Sequence, residues 1–242
     1  MSTYFISDLH LCESEPHLTA LFHHFITDVA SDAQTLYILG DFFQAWVGDD
    51  IKTDFVERII NTLKARHEQG TLIYFMHGNR DFLLGKHFAN ACGGSLINDP
   101  SVITLHGERY LLSHGDVFCT DDKAYQRYRS IARMRWLQTL FLMLPKKLRL
   151  NIASRMRQYS REQFAKQRDT KDLSDAKWEA IVETLDQQTC DRIIHGHTHK
   201  PTIHISPNNP TYRRWVLSDW GEQGHYLKIA DNGQITMQYF SL

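Results

Sequence analysis

Five apolar, β-branched runs in this chain each end in a short knot of polar side chains, and that pattern limits the fold more than any other feature. "TYFISDLH" runs into Asp8 and His10, and "TLYILGDFF" into Gly40 and Asp41. "TLIYFMHGNRD" runs into Asn79, Arg80 and Asp81, "RYLLSHGD" into His114, and "DRIIHGHTH" into His195 and His197. Between the first three runs lie stretches of helical patterning, residues 16–30 and 52–69. Strand, helix, strand, helix, strand in short order indicates α/β organisation. In such sheets ligands gather at the carboxyl ends of strands, because the loops there converge on one edge. All five knots sit at such ends. Later strand candidates, residues 202–205, 214–217, 226–229 and 235–239, alternate more strongly and predict a second sheet with one wetter face.

The chain has 242 residues, enough for one large domain with a real core. Its apolar content of 42% and charged content of 23% are those of an ordinary globular protein. No run of eighteen apolar residues occurs, so no spanning helix is expected. The first residues lack a basic stretch followed by an apolar one, so no signal peptide is expected either; they read as a first strand. Cys12, Cys92, Cys119 and Cys190 are scattered and form no C-x-x-C pair. They read as reduced thiols of a cytosolic protein, and as neither a disulfide frame nor a zinc site.

The middle of the chain differs. Residues 123–168 contain no glycine, thirteen Lys or Arg, and one acid, Glu162, although the whole chain carries a formal charge of −1. Apolar residues recur at helical spacing, Leu137, Phe141 and Leu144, then Leu148, Ile152 and Met156, with Pro145 as a break between two helices. The segment reads as a helical insertion within a single domain spanning residues 1–242.

Asp8, His10, Asp41, Asn79, His114, His195 and His197 form a mixed set of carboxylate, imidazole and amide ligands. Such a set suits Mn²⁺, Fe²⁺ or Zn²⁺ better than a thiolate-selected metal. Residues two apart on an extended backbone, Asp8 with His10 and His195 with His197, would aim to one side. Seven ligands are too many for one tetrahedral zinc and suit two ions that share one carboxylate. Two divalent ions are the usual equipment for hydrolysing phosphate esters. Taken singly, a D-x-H occurs by chance, and G-D or G-N is commonly a turn. Three His in five residues after a buried strand have no packing reason, and together the five knots outweigh the bland reading.

D-x-H, G-D, G-N-x-[DE], H-G and G-H-x-H in this order resemble the signature of the calcineurin-like metallophosphoesterases. The resemblance implies two stacked β-sheets flanked by helices, a four-layer α/β (α+β) fold, with a dinuclear site at the strand ends. It implies that Asp8, His10, Asp41 and His197 hold a first metal. Asp41 bridges, and Asn79, His114 and His195 hold the second. His199 is left a supporting role, and Asp81 that of orienting a loop or a His neighbour. The broad family usually has His where this chain has Arg80. A guanidinium is no general acid near neutral pH, but it clamps phosphate through parallel hydrogen bonds, which suggests a diphosphate substrate.

A closer likeness is carried by "ISDLHLC", "LYILGDFFQAWVGDD", "HGNRDFLLGK", "HGD…CTDD…YQ", "WLQTLFL" and "IHGHTHKP". These are similar to the UDP-2,3-diacylglucosamine pyrophosphatase family of lipid A biosynthesis. That resemblance implies hydrolysis of an acylated UDP-sugar to UMP and 2,3-diacylglucosamine 1-phosphate, with Mn²⁺ at both sites. It makes residues 122–168 a helical cap for the acyl chains. Catalysis is expected from Asp41, Asn79, Arg80 and His195, and substrate contacts from Asn79, Arg80, Asp122, Tyr125, Ser160, Lys166 and His195. The family has a polar residue four places after that serine and a lysine seven places after. Here Phe164 and Gln167 stand there, with Lys166 one residue away, a turn of roughly 100° on a helix. Trp46, Leu83, Tyr128 and Phe141 are candidates for the chain-binding wall or for core. The basic cap would rest on an anionic membrane, placing the protein in the cytoplasm at the inner face of the inner membrane, with no obligate protein partner.

Two other readings stay open. One is another hydrolase on this fold, a nuclease or nucleotide phosphodiesterase, for which the basic segment would attract nucleic acid. A nucleic-acid groove would spread polar and stacking residues along a track, whereas "WLQTLFLML" is a compact apolar patch, so no nucleic-acid partner is expected. The other is a non-catalytic scaffold, which would be expected to have lost ligands; here all seven are present.

Overall fold

A computed structural model describes residues 2–166 and 175–242; the side chains of Arg157 and of residues 159–166 lie outside the described set. Two sheets form the centre. The first has strand order β11-β10-β1-β2-β3-β4, built from β1 (Ser2–Ile6), β2 (Ala33–Leu39), β3 (Leu72–Met76), β4 (Ser95–Leu96), β10 (Gly224–Ile229) and β11 (Ile235–Phe240). The second has order β5-β6-β7-β9-β8, from β5 (Ser101–Leu105), β6 (Glu108–Ser113), β7 (Arg192–His195), β8 (Ile203–Ile205) and β9 (Arg213–Val216). Strands β1 to β4 pair in parallel, as do β6, β7 and β9.

Alternation along the strands sets the layers. Tyr4 and Ile6 of β1 pack toward α1 (Pro16–His24), α2 (Asp54–Glu68) and α3 (Lys86–Ala91), while Phe5 points the other way, to Leu112 of β6 and Ile194 of β7. On the far side, Leu111 and Ile193 meet Ile181 and Leu185 of α7 (Trp178–Gln187). The order is therefore helices, sheet, sheet, helix: the four-layer α/β arrangement expected.

The early helices follow local chemistry. Thr53 caps α2 by accepting from the Val56 N–H at 3.3 Å, with Asp54 and Glu57 in the first turn and Arg66 and His67 in the last. The stretch 16–30 is α1 followed by a π-helical turn, Phe25–Val29, where Phe25 packs its ring against Tyr4, Trp220, Tyr226 and Phe240. No disulfide joins the four cysteines, and no described helix is long and apolar enough to cross a membrane.

One sequence expectation is overturned. The C-terminal strands do not stay together in a second sheet: β8 and β9 do join it, but the β10–β11 hairpin belongs to the first, with β10 antiparallel to β1. The polar residues that made β10 look half-wet are partnered, His225 inside and Lys228 at the surface. His225 accepts from the Ser218 N–H, and Lys228 lies over the Tyr4 ring and pairs with Asp32. Both faces of β10 are covered, with Tyr226 on the helix side and Leu227 and Ile229 between the sheets.

The basic segment contains α4 (Lys123–Ala132), α5 (Arg135–Leu142) and α6 (Lys146–Lys166), with Pro145 at the break between the last two. The apolar repeat foretold α5 and α6 but not α4. Leu137, Phe141 and Leu144 are half-buried, whereas Leu148 and Met156 are exposed. Arg149, only 2% exposed, holds α6 to the "WVGDD" loop through the Val47 carbonyl and the Asp50 carboxylate.

If β10 is a structural member of the first sheet, truncating its buried Leu227 opens a cavity between the sheets. Leu227→Ala should lose about 2–5 kcal/mol of stability in urea unfolding, in a single transition with the rest of the chain.

Candidate metal centre

Three loops from the first sheet and two from the second meet on one edge. The first two loops run side by side, continuing the β1–β2 pairing past the strand ends: Asp8 N–H donates to the Gly40 carbonyl, His10 to Asp41 and Leu11 to Phe42, at 2.9–3.1 Å. The third is tied in by Asp81. Its carboxylate accepts the N–H of Gly78 at 2.8 Å, of Phe42 at 2.7 Å, of Asp41 at 3.3 Å and of Phe43 at 3.4 Å. Asp81 thus orients a loop rather than a His neighbour.

The extended-backbone reading of D-x-H and H-G-H does not hold. Asp8 and His10 have φ of 57° and 51°, Asp41 51°, and His197 and His199 65° and 49°. Among the described residues, five of the seven non-glycine residues with positive φ therefore sit in this cluster. Left-handed conformations cost of order 1–3 kcal/mol each and gather at functional sites. They turn each side chain inward immediately after its strand ends. The intervening glycines are sterically required. A Cβ on Gly78 would strike the Asp41 carboxylate and backbone nitrogen, and one on Gly196 would strike Asp8 and Ser7.

Asp8, Asp41, His114 and His195 are buried, His197 is half-buried at its surface, and His10 is half-buried. Ligand atoms lie within 4.8 Å of one another in two groups, Asp8 with Asp41 and His114, and Asp8 with His10 and His199. Asp8 accepts from Ser7 Oγ at 2.6 Å and from the His197 N–H at 2.9 Å. Asn79 Oδ1 stands between His114 Nε2 at 2.9 Å and His197 Nδ1 at 3.0 Å. His114 Nδ1 faces the Leu39 carbonyl at 3.0 Å, and His195 Nδ1 faces that of Gly196 at 2.8 Å. His195 lies outside both groups of three. His199 lies inside one, and its Nδ1 is 3.5 Å from Asp219.

These contacts fix the tautomers. With Nδ1 on the Leu39 carbonyl, His114 turns its Nε2 on Asn79 Oδ1 and, at 3.8 Å, on Asp41. Acceptors that face one another need a proton or a cation between them. His195 Nε2 and both ring nitrogens of His10 are buried without any hydrogen-bond partner. Burial holds His10, His195 and His197 down at about 3, so all three present neutral rings. Burial, with Asp81 and Asp8 adding, pushes Asp41 up to about 7 against the pull of His114 and Arg80. Burial alone would lower His114, but Asp41, Asp8, Asp116 and Asp99 raise it to about 9. Buried carboxylates, neutral imidazoles with orphaned lone pairs and an amide oxygen fit divalent metal.

The remaining candidate residues are spread around this cluster. The Arg80 N–H donates to Asp41 Oδ1 at 2.8 Å, its Nε lies 3.4 Å from Oδ2, and its side chain is 38% exposed. Asp122 caps α4 through the Tyr125 N–H at 2.9 Å. Tyr125 stacks on His197, ring centroids 6.0 Å apart, and donates its hydroxyl to Asp116. The side chains of Ser160 and Lys166 lie outside the described residues. Trp46 is core, 5% exposed between Phe43 and Phe88. Leu83 packs partly buried on the same core, and Tyr128 is exposed. Sequence reasoning missed Asp99 and Asp116. Asp116 follows His114 in "HGD" at the D-x-H spacing, and that was its one signal.

A profile of the calcineurin-like phosphoesterase family matches residues 1–201. Relatives named UDP-2,3-diacylglucosamine hydrolase include those of Histophilus somni (strain 2336), 44% identical over 96% of this chain and 97% of that one, and Pasteurella multocida, 45% identical over 96% of each. That of Aeromonas hydrophila subsp. hydrophila is 45% identical over 100% of both chains.

Because Gly78 admits no side chain beside Asp41, Gly78→Ala should displace that carboxylate. A folded variant with about 1–3 kcal/mol less stability and a clearly reduced metal content on elemental analysis is expected. The density of such sterically and conformationally constrained ligands at five strand ends agrees with the match over residues 1–201: the chain belongs to the calcineurin-like phosphoesterase family.

Proposed function

We propose that this chain hydrolyses the diphosphate of UDP-2,3-diacylglucosamine, giving UMP and 2,3-diacylglucosamine 1-phosphate (lipid X) for lipid A biosynthesis. The observation that carries the reading is the placement of the helical segment: Tyr125 of α4 stacks on His197 at the metal-ligand cluster, and the half-buried apolar residues of α5 follow directly. Residues 122–168 act as the cap, and a cap of this composition suits an acylated, doubly phosphorylated substrate. The near full-length relatives bear a name for that substrate.

Asp8, His10, Asp41 and His197 would hold one divalent ion, and Asp41, Asn79, His114 and His195 the other, manganese at both. Two such ions supply Lewis acidity and an acidified water. The chain's own residues do the rest. Asp81 fixes the loop that carries Asn79, and Arg80 presents its fork to the phosphate farther from the attack. Tyr125 offers its ring rather than its hydroxyl, which is committed to Asp116. Asp122, already the α4 cap, would border the sugar; Ser160 and Lys166, whose side chains lie outside the described residues, keep the substrate role that the resemblance implies.

The decisive assay compares the acylated UDP-sugar with its deacylated analogue in added Mn²⁺. Strong preference for the acylated compound supports the reading, while indifference to the chains, or preference for a nucleic acid, defeats it. Arg80→Ala keeps the backbone N–H that Asp41 uses, so both metals should stay. kcat/KM should fall by about 30- to 1,000-fold, roughly 2–4 kcal/mol of lost transition-state stabilisation. A loss traced to missing metal would remove the role given to Arg80.

The cap is also our candidate membrane contact, and it would place the protein in the cytoplasm at the inner face of the inner membrane. Trp136 and Leu140 of α5 and Met143 at its C-cap form an i, i+4, i+7 stripe, exposed by 62%, 53% and 76%, within a segment of thirteen cationic residues. Apolar anchors amid cations suit an anionic lipid surface. Binding to liposomes rich in phosphatidylglycerol should weaken with salt, since screening acts over about 8–10 Å, and Trp136→Glu with Met143→Glu should abolish it.

A further inference from the structure

We infer that Asp116 is the positioning residue that seats the cap on the metal centre. Three side chains from one face of α4, spaced i, i+4 and i+8, converge on its carboxylate. Tyr125 donates its hydroxyl to Asp116 Oδ2 at 2.5 Å, Arg129 donates Nε–H at 2.8 Å, and an Arg133 terminal nitrogen lies at 3.5 Å. The Asp116 carbonyl also accepts from the Gln126 amide at 2.7 Å. A second carboxylate, Asp99, works beside it. Asp99 Oδ1 accepts from Ser113 Oγ at 2.6 Å and from the His114 N–H at 3.2 Å, while Oδ2 takes Arg129 at 3.3 Å. The same Arg133 nitrogen donates to the Gly78 carbonyl at 3.3 Å. Neither carboxylate is exposed beyond 2%, and the two guanidiniums are 17% and 22% exposed.

Two anions and two cations thus form a neutral, largely dry cluster between α4 and the loops that carry Asn79 and His114. A buried ion network contributes little net stability against an apolar replacement, but its fixed geometry defines one arrangement of the parts it joins. Its position defines what it joins: the Tyr125 ring comes to rest on His197, and Arg133 touches the backbone of the loop bearing Asn79. Two of the thirteen cations of the segment are therefore consumed in docking α4 and serve neither phosphate nor lipid. The first cap helix is a fixed wall of the site, and the substrate's chains must be accommodated by α5 and α6.

This inference rests on the reading of residues 122–168 as a substrate cap, and the test separates the two. Arg129→Met, made in the full-length, metal-loaded chain, removes the central cation and keeps the aliphatic stem. Amide hydrogen exchange over residues 123–133 should quicken by about tenfold or more while β1–β3 stay as protected as in the parent. Metal content should not change. kcat/KM on the acylated UDP-sugar should fall by about 10- to 100-fold, chiefly through KM, with under about threefold change on bis-p-nitrophenyl phosphate. Arg129→Lys, which keeps the charge but not the fork, should recover part of both exchange protection and KM. If removing Arg129 prevents folding, the paired variant Arg129→Met with Asp99→Asn, which removes one charge of each sign, is read instead. Unchanged exchange with lost activity would mean that Arg129 meets the substrate itself, and would overturn the assignment. So would an equal loss on both substrates, or no loss on either. A parent that ignores the acylated sugar defeats the proposed function, but the exchange result still decides whether α4 is seated by this cluster.

Discussion

Asp8 and Asp41 are carboxylates with 0% and 2% exposure, and everything near them exists to make that burial tolerable. An ionised carboxylate removed from water is tolerated only when hydrogen bonds and counter-charge surround it. Asp8 is met by Ser7, the His197 N–H and His199; burial works against its charge, but His199, with His114 and His10, holds it well below the usual carboxylate range. Asp41 has fewer partners, chiefly Arg80, and burial leaves its carboxyl near 7. Burial works against the charge of both acids, and three neutral imidazoles stand round them. A divalent cation is the partner that would satisfy the whole set at once.

The backbone makes this crowding possible. Parallel strands alone would splay their side chains to alternate faces. The left-handed residues at Asp8, His10, Asp41, His197 and His199 reverse that tendency within two to four residues of each strand end. Asp81 then locks the second and third loops together by accepting four N–H groups. The strain is local and its support is local too, so the centre is built before any substrate arrives.

Much of this was legible in the sequence because polar residues that end an apolar run are costly unless they have work. The five knots came from such conflicts, the α/β alternation from the change of period between runs, and the break at Pro145 from proline's missing N–H. What stayed hidden had other causes. Alternation reports how wet a strand's face is and not which sheet it joins: in β10 His225 is partnered inside and Lys228 pairs with Asp32 at the surface, and the hairpin belongs to the first sheet. Backbone conformation at Asp8 or His197 leaves no compositional trace except the neighbouring glycine. Asp99 and Asp116 went unseen because their partners, Arg129 and Arg133, are distant in sequence and looked like part of a uniformly basic face. The outward stripe of Trp136, Leu140 and Met143 was visible as letters, but only the structure separates it from the half-buried Leu137, Phe141 and Leu144.

The two sheets divide the ligand cluster between them. Asp8, Asp41 and Asn79 ride on β1, β2 and β3, whereas His114 and His195 ride on β6 and β7. What holds the halves in register is the layer of Phe5, Leu39, Met76, Leu112, Ile194 and Leu227 between them. Close-packed interiors transmit a change of even one methylene. The distance between the two halves of the cluster is therefore written in residues that touch neither metal nor substrate. Evolutionary drift in that layer would tune the enzyme's rate without altering any residue of its active-site signature, so two homologues with identical motifs can differ in turnover for reasons that only their hidden seam records.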